Sequence, residues 1–317
     1  MDKITIRACA KINLSLDVTG RRENGYHNIE SFMQGVSMYD VVEIALAAET
    51  DDDNATCFDA GGIKVKLSMN CEELAPSEDN LAVKGAKAMA GAFGKKGLEL
   101  PSAVKVSIDK RLPVAAGIAG GSGNAAAVML GLNALCRNPL ALSELMDAGE
   151  AVGADLPFSI YMNAAMNREA LGGLAGIDEA GVAAVVSGIG EVVEPAEAIE
   201  RFAVLANPGI AVSTAEVYRE IDSLPAEARV PMGLWHNVME KYTLEAYEGA
   251  MELKLAMEAL GAEHVLMSGS GPTMVAYYLN EEEAQKGFEK LAAESNARGL
   301  DGLWRIWLTE TGRELWT

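Results

Sequence analysis

The stretch Pro113-Val-Ala-Ala-Gly-Ile-Ala-Gly-Gly-Ser-Gly-Asn124 runs straight into Ala125–Cys136, an Ala/Leu/Met-rich segment of high helix propensity that stops at Asn138-Pro139. Glycines at 117, 120, 121 and 123 let a backbone fold closely around a small anion. The helix behind them directs free N–H groups and its positive dipole end at the same place, which favours phosphate. Two named phosphate motifs fail the comparison. No Lys follows any of these glycines, so a Walker A loop is excluded. Gly121-Ser-Gly123-Asn-Ala-Ala126 matches the loose dinucleotide form, but Lys110-Arg-Leu-Pro113 separates it from the preceding strand. The acidic residue that form needs about 20 positions on would be Glu144, which sits in a helical pattern. A tight turn between strand and helix explains the same glycines, so the loop alone does not fix a function.

Working outward, Ala103–Asp109 alternates with period two and reads as the strand before the loop. Val41–Leu46 and Lys64–Met69 alternate likewise, and Ile4–Val18 does so for long enough to make one or two half-buried strands. That alternation puts Lys11 and Asn13 together on the face away from the core, where a lysine is ordinarily solvated. Ser77-Glu-Asp-Asn80 opens a helix through Leu81, Ala86, Met89 and Phe93. A helix at Leu142–Val152 ends at Gly153-Ala-Asp155-Leu-Pro157. Asp155 there reads either as a helix N-cap or as the acceptor of a substrate hydroxyl proton.

The later sequence has a different rhythm. Phe202–Ala206 is a short strand, and Ser213-Thr-Ala-Glu216 is a capping box that opens a helix. A Pro-containing loop leads to a long helix over about His236–Leu260, backed by Gly261. A strand at Glu263–Met267, the turn Ser268-Gly-Ser-Gly-Pro-Thr273, a strand at Met274–Leu279, a helix at Glu281–Ala297 and a strand at Leu303–Leu308 follow. That order describes a split β-α-β, ferredoxin-like unit. The expected architecture is therefore α+β in two domains, residues 1–195 and 196–317, joined between about Ala180 and Pro195.

The 317 residues carry 26 Lys+Arg against 46 Asp+Glu, a net charge of −20, which argues against a general nucleic-acid binder. Cys9, Cys57, Cys71 and Cys136 stand apart with no C-x-x-C pair, and His27, His236 and His264 form no metal array, so no protein-ligated metal centre is expected. The N-terminus has no signal-peptide pattern and no run of about 18 apolar residues occurs, so a soluble cytoplasmic protein without membrane partners is expected.

Singly these features are weak; their order is distinctive. A Lys11-x-Asn13 strand comes first, followed by Thr-Gly-Arg-Arg-x-x-Gly-Tyr-His at 19–27. The Gly/Ser loop opening an Ala-rich helix, then Gly-Ala-Asp155, then Ser-Gly-Ser-Gly-Pro-Thr at 268–273 complete it. The combination resembles the GHMP kinase superfamily over most of the chain. The resemblance implies a ribosomal-S5-like α/β N-terminal domain and a ferredoxin-like C-terminal domain, with the active site in the cleft between them. The branch resembled most phosphorylates the 2-hydroxyl of a cytidine diphosphate-linked methylerythritol, with ATP as co-substrate and Mg²⁺, as a monomer or homodimer.

Carried over by position, the resemblance makes Lys11 and Asp155 the catalytic pair. It gives the ATP phosphates to Pro113, Ala115, Ala116, Gly117, Ile118, Ala119, Gly120, Gly121, Ser122, Gly123 and Asn124, and further nucleotide contacts to Asn80 and Lys110. Tyr26 and Tyr218 match positions that stack on cytosine, with His27 on its edge. Asn13, Thr214, Gly269, Ser270 and Gly271 fall where the diphosphate and methylerythritol portions are held. The chain departs from the family pattern at Ala119 and Gly123, which replace a Gly and a Ser, and in about 20 extra residues around Asn163–Val182, which read as a surface excursion or an interface. Other small alcohols as acceptor, or a non-catalytic nucleotide-binding regulator, remain the alternatives.

Overall fold

The computed structural model describes residues 2–47, 56–71, 74, 76–223, 233–298 and 304–311. Its N-terminal half is organised around one long strand. β1 (Lys3–Asn13) and β2 (Ser15–Arg21) both lie antiparallel to β3 (His27–Leu46). Only the last six residues of β3 stand out as alternating in the sequence. The rest is a strand because it pairs successively along its length. Its far end joins the parallel pair β5 (Lys64–Met69) and β6 (Ala103–Asp109), with β4 (Thr56–Asp59) at the margin.

The stretch read as the junction between domains is itself part of this sheet. β7 (Ala183–Gly188) and β8 (Val192–Pro195) form a hairpin, and β7 pairs with β3 from Ile29 to Gln34. Four helices cover one face: α1 (Leu81–Lys96), α2 (Gly120–Leu135), α3 (Leu142–Glu150) and α4 (Leu156–Met166). Their apolar sides, with Met89, Phe93, Met129, Leu132 and Phe158 fully or almost fully buried, form the larger core with Ile6, Ile44 and Val106 of the sheet.

The extra residues around 163–182 are not a surface excursion. Asn163 belongs to α4, every residue of which is buried, and Leu171, Leu174, Ala180 and Val182 pack into the main core. The Arg168 guanidinium donates to the carbonyls of Ile177 and Ala180, which closes the segment on itself.

In the C-terminal half, β9 (Arg201–Asn207), β11 (His264–Met267), β12 (Met274–Tyr278) and β13 (Arg305–Thr311) form an antiparallel sheet in the order β11-β12-β9-β13. α8 (Glu281–Ala297) crosses between β12 and β13, as the split β-α-β reading requires. The expected start of the last strand at Leu303 lies outside the described residues. Among the described residues a single bridge, Thr311↔Val36, continues this sheet into the N-terminal one. A second, smaller apolar cluster also joins the halves, with Ile12, Leu14 and Ile118 packed against Leu205, Val275 and Tyr277.

The long helix expected over 236–260 is three elements. β10 (His236–Asn237) pairs in parallel with Ser15–Leu16, α6 (Glu240–Ala246) follows, and α7 (Glu248–Glu258) starts afresh after Tyr247 leaves helical geometry at φ −128°, ψ 98°. The Asn237 amide explains the early break, since it donates to the carbonyls of Met267 and Gly269 and accepts from the Met239 N–H. α5 (Thr214–Asp222) begins as expected, with the Ser213 hydroxyl accepting from the Glu216 N–H.

Candidate active site

A cavity of about 660 Å³ opens where the first strand, the glycine loop, the start of α4 and the 268–273 turn meet. Lys11 reaches it from β1, and contrary to the strand-face reading it is only 3% exposed, with Asn13 at 1%. The alternating burial of β1 stops at Ala8, and the register against β3 slips between Cys9 and Lys11. Beyond that slip both faces of the strand are covered. The Lys11 backbone N–H is taken by the Ile118 carbonyl of the glycine loop. Its ammonium donates to Asn13 Oδ1 at 2.8 Å and stands 3.5 Å from Asp155 Oδ1.

Asp155 occupies the N-cap of α4, yet its side chain makes no capping hydrogen bond, and Pro157 sits in the first turn of the helix. The carboxylate is thus available to the cavity, beside an ammonium that has little water of its own. This juxtaposition unites residues 144 positions apart, and nothing in the intervening sequence announces it.

Asn13 is the hub between the two glycine segments. Its amide N–H₂ donates to Ser31 Oγ, while Oδ1 accepts from the Gly269 N–H at 3.0 Å as well as from Lys11. The Ser268 hydroxyl donates to the Gly117 carbonyl at 3.0 Å. Gly117 is at φ 72°, and a Cβ on it would stand 2.5 Å from the Ser268 carbonyl oxygen. The loop before α2 and the turn before β12 therefore touch backbone to backbone, which only a glycine permits.

The glycine loop is shorter than its sequence implies. α2 starts at Gly120, so Gly120, Gly121, Ser122, Gly123 and Asn124 form its first turn. Ala119 is the N-cap at φ 57°, an αL conformation that costs an alanine about 1 kcal/mol more than a glycine. Pro113, Ala115, Ala116, Gly117, Ala119, Gly120, Gly121, Ser122 and Asn124 line the cavity, whereas Ile118 and Gly123 lie behind it. A Cβ at Gly123 would come within 3.0 Å of the Cys9 carbonyl oxygen, so this position packs α2 against β1. Asn124 Oδ1 is buried and has no hydrogen-bond partner in the protein.

Lys110 also lines the cavity, but its ammonium is held by Asp40 Oδ2 at 2.7 Å and the Leu112 carbonyl at 2.9 Å. Asp40, fully buried on β3, additionally accepts the backbone N–H groups of Arg111 and Leu112. It was not visible as a functional residue in the sequence. Asn80 caps α1 by accepting the Ala82 N–H and lines the cavity with Met69, Leu74 and Leu81. A separate apolar set comes from Leu16, Ile29, Met33, Ile189, Val212 and Met239.

The aromatic residues are arranged differently from expectation. Tyr26 is 62% exposed and is not among the cavity-lining residues, so Tyr26 and Tyr218 do not face each other as a pair. Tyr218 lines the cavity and stacks on His27 instead, with centroids 4.6 Å apart and planes 15° from parallel. Burial first, and the nearby Asp155 charge second, push its phenol up to about 12. His27 Nε2 meets Asp222 Oδ1 at 2.7 Å, and Arg21 holds the other oxygen of that carboxylate at 3.1 Å. Arg22 pairs with Glu191 at 2.5 Å. The arginines of the 19–27 motif thus tie the β2–β3 turn to α5 and to the turn before β8. Thr214, Gly269, Ser270 and Gly271 all line the cavity, and the Thr214 and Ser270 hydroxyls lie 2.8 Å apart.

A glycine-bearing helix start, a buried lysine paired with a partly exposed aspartate and a split β-α-β half set across a cavity define a small-molecule phosphotransferase of the GHMP class. The GHMP kinases N terminal domain model matches residues 80–163, and the GHMP kinases C terminal model matches residues 215–297. The chain is 36% identical over 309 residues to a 4-diphosphocytidyl-2-C-methyl-D-erythritol kinase of Alkaliphilus metalliredigens, covering 92% of this chain and 94% of that one. It is 32% identical over 308 residues to the protein of the same name in Geobacter metallireducens, with 93% and 96% covered. A solved structure of 4-(cytidine 5'-diphospho)-2C-methyl-D-erythritol kinase superposes with a TM-score of 0.69 at 27% identity, covering 98% of this chain and 99% of that one. A homoserine kinase from Cytophaga hutchinsonii, 16% identical and with TM-score 0.65 over 99% of this chain and 96% of its own, shares the fold. The chain belongs to the 4-diphosphocytidyl-2-C-methyl-D-erythritol kinase family of GHMP kinases.

Proposed function

We propose that the protein transfers the γ-phosphoryl group of ATP to the 2-hydroxyl of 4-diphosphocytidyl-2-C-methyl-D-erythritol, a step of the non-mevalonate route to isoprenoid precursors. The observation that carries this reading is the convergence of Lys11 and Asp155 on one cavity beside the open N-terminus of α2. Residues 1–195 hold the nucleotide and supply the Lys11–Asp155 pair, and residues 196–317 line the acceptor side of the cavity through Thr214, Tyr218 and the 269–271 turn.

The geometry supports the following division of labour. Backbone N–H groups at Gly120–Ser122 and the α2 dipole take the triphosphate. Asn80, with the apolar Met69, Leu74 and Leu81, receives the adenosine portion. Lys110, already held by Asp40, steadies phosphate charge at the same helix start. The acceptor hydroxyl lies between Lys11 and Asp155. Asp155 accepts its proton as the O–P bond forms, and Lys11 offsets the charge that develops on the transferring group. Phosphoryl transfer asks chiefly for in-line positioning and charge neutralisation, so the step does not require a strong base. Tyr218, backed by the His27 ring stacked on it, holds the cytosine end, while Asn13, Thr214 and the 269–271 turn hold the diphosphate.

The orphaned Asn124 Oδ1 and the adjacent Ser122 hydroxyl suit Mg²⁺, which takes a few protein oxygens alongside nucleotide phosphates. That ion supplies charge neutralisation between the phosphates when bound. Among the described residues no cluster of acidic, His or Cys side chains forms a metal site independent of the nucleotide.

The test is ADP release with ATP and a panel of acceptors: the cytidine-bearing substrate, free methylerythritol, mevalonate and homoserine. Turnover confined to the cytidine-bearing acceptor supports the reading. Comparable turnover with any cytidine-free alcohol overturns it.

A further inference from the structure

Strand β1 pairs with β3 along one edge, and among the described residues its other edge is met by two asparagine side chains and a loop carbonyl instead of a strand. The Arg7 N–H donates to Asn167 Oδ1 at 2.9 Å, the Cys9 N–H to Asn163 Oδ1 at 3.0 Å, and the Lys11 N–H to the Ile118 carbonyl at 3.1 Å. Asn167 returns a hydrogen bond to the Arg7 carbonyl at 3.0 Å and donates to the Asn163 carbonyl at 2.8 Å. Asparagines four apart on a helix rise by about 6 Å. Alternate residues of a strand are about 6.7 Å apart, so the two repeats match.

Asn163 differs from Asn167 in one respect. Its amide N–H₂ also donates to the Gly123 carbonyl, at 3.1 Å, within the first turn of α2. One fully buried side chain on α4 therefore bonds both to β1, two residues before Lys11, and to the phosphate-facing helix. α4 is the helix whose N-cap is Asp155.

We infer that Asn163 is a positioning residue, an edge-strand mimic that sets the register of Lys11 against Asp155 and the start of α2. The inference rests on the roles given above to Lys11 and Asp155. It gives the segment that departs from the family pattern a purpose in the reaction. An apolar residue at 163 leaves the Cys9 N–H buried without its partner and removes the tie from α4 to the Gly123 carbonyl, so β1 and the start of α2 shift against α4.

The experiment compares Asn163→Leu with Asn167→Leu in the full chain. Both remove hydrogen bonds to β1, but only the first touches α2 and the residue nearest Lys11. Asn163→Leu is expected to lower kcat at least 10-fold with KM for both substrates within threefold. Asn167→Leu is expected to lower Tm comparably while keeping kcat within twofold. Equal kcat losses in the two variants overturn the proposal, as does a kcat for Asn163→Leu within twofold of the parent. If Asn163→Leu does not fold, Asn163→Asp is read the same way; it keeps the acceptor for Cys9 and loses the donor to Gly123. Amide hydrogen exchange of peptides spanning 7–13 and 119–124 requires no acceptor at all. Unchanged protection there in the position-163 variant overturns the positioning role, whereas failure of the acceptor panel overturns only the reaction assigned above.

Discussion

Lys11 Nζ and Asp155 Oδ1 stand 3.5 Å apart, the ammonium almost fully buried and the carboxylate about one-third exposed. The asymmetry matters. Lys11 is fixed by Asn13 and by the bonded backbone beneath it, whereas Asp155 is held only by the start of α4. An incoming hydroxyl therefore meets an ammonium that is already oriented and a carboxylate with room to accept from it.

Replacing either group separates chemistry from binding. Lys11→Met and Asp155→Asn are each expected to lower kcat by about 10²- to 10⁴-fold, the usual range for loss of a positioned proton acceptor or charge partner. Nucleotide affinity, carried mainly by the α2 start and the Asn80 region, should change little. Steady-state kinetics with titration of a fluorescent ATP analogue checks both halves. Wild-type kcat in both variants would remove the catalytic assignment.

The two glycine segments support a second comparison. Gly117→Ala must accept a positive φ and a methyl 2.5 Å from the Ser268 carbonyl oxygen. Backbone strain alone costs about 1 to 2 kcal/mol, and separating the two loops raises KM for ATP. Gly94 lies in α1 with nothing within 4 Å of its added Cβ and no positive φ. Gly94→Ala should instead stabilise by about 0.5 to 1 kcal/mol. Thermal melts of the two proteins should move in opposite directions.

Much of this was legible before any coordinates. The period-two signals gave β5 and β6 to the residue, and the capping residues Asn80 and Ser213 start helices as caps do. What stayed hidden was set by tertiary contacts. Most of β3 lacks a clean alternation because different parts of it are covered by β1, β2, β7 and β13. The short β10 strand and the late start of α6 follow from Asn237 bonding to Met267 and Gly269, 30 and 32 residues later. Burial of Lys11 depends on the register slip after Cys9, which a period-two pattern cannot show. Asp40 and Asn163 gave no signal because their partners, Lys110 and Gly123, are distant in sequence.

Lys110 and Asp40 form a pair buried on both sides, with side-chain exposures of 4% and 0%. Lys110→Met leaves a buried carboxylate without its cation, for which losses of about 3 to 5 kcal/mol are typical. The double change Lys110→Met with Asp40→Asn should recover part of that, since the amide oxygen still accepts the Arg111 and Leu112 N–H groups. Urea denaturation of the parent, each single variant and the double variant measures the coupling. Additive losses would mean that the pair does not act as a unit.

Tyr218 makes the last prediction one of pH. Its phenol has an ordinary value of 10.0 and is pushed up to about 12, mainly by burial and then by the Asp155 charge. Between those values the unfolded chain has released the proton and the folded chain has kept it. The unfolded state then binds fewer protons, so stability falls as pH rises. The contribution is fully present below pH 10 and is lost by about pH 12, a change of about 2 to 3 kcal/mol. Denaturation midpoints measured from pH 9 to 12 should fall more steeply for the parent than for Tyr218→Phe. At neutral pH the same variant keeps the ring that stacks on His27, so its KM for the cytidine-bearing acceptor should stay within about threefold, a factor worth under 1 kcal/mol. Tyr218→Ala removes the ring and should raise that KM by about 10-fold or more, in line with the 0.5 to 3 kcal/mol of aromatic stacking. Equal KM values for Phe and Ala at this position would show that stacking does not hold the base.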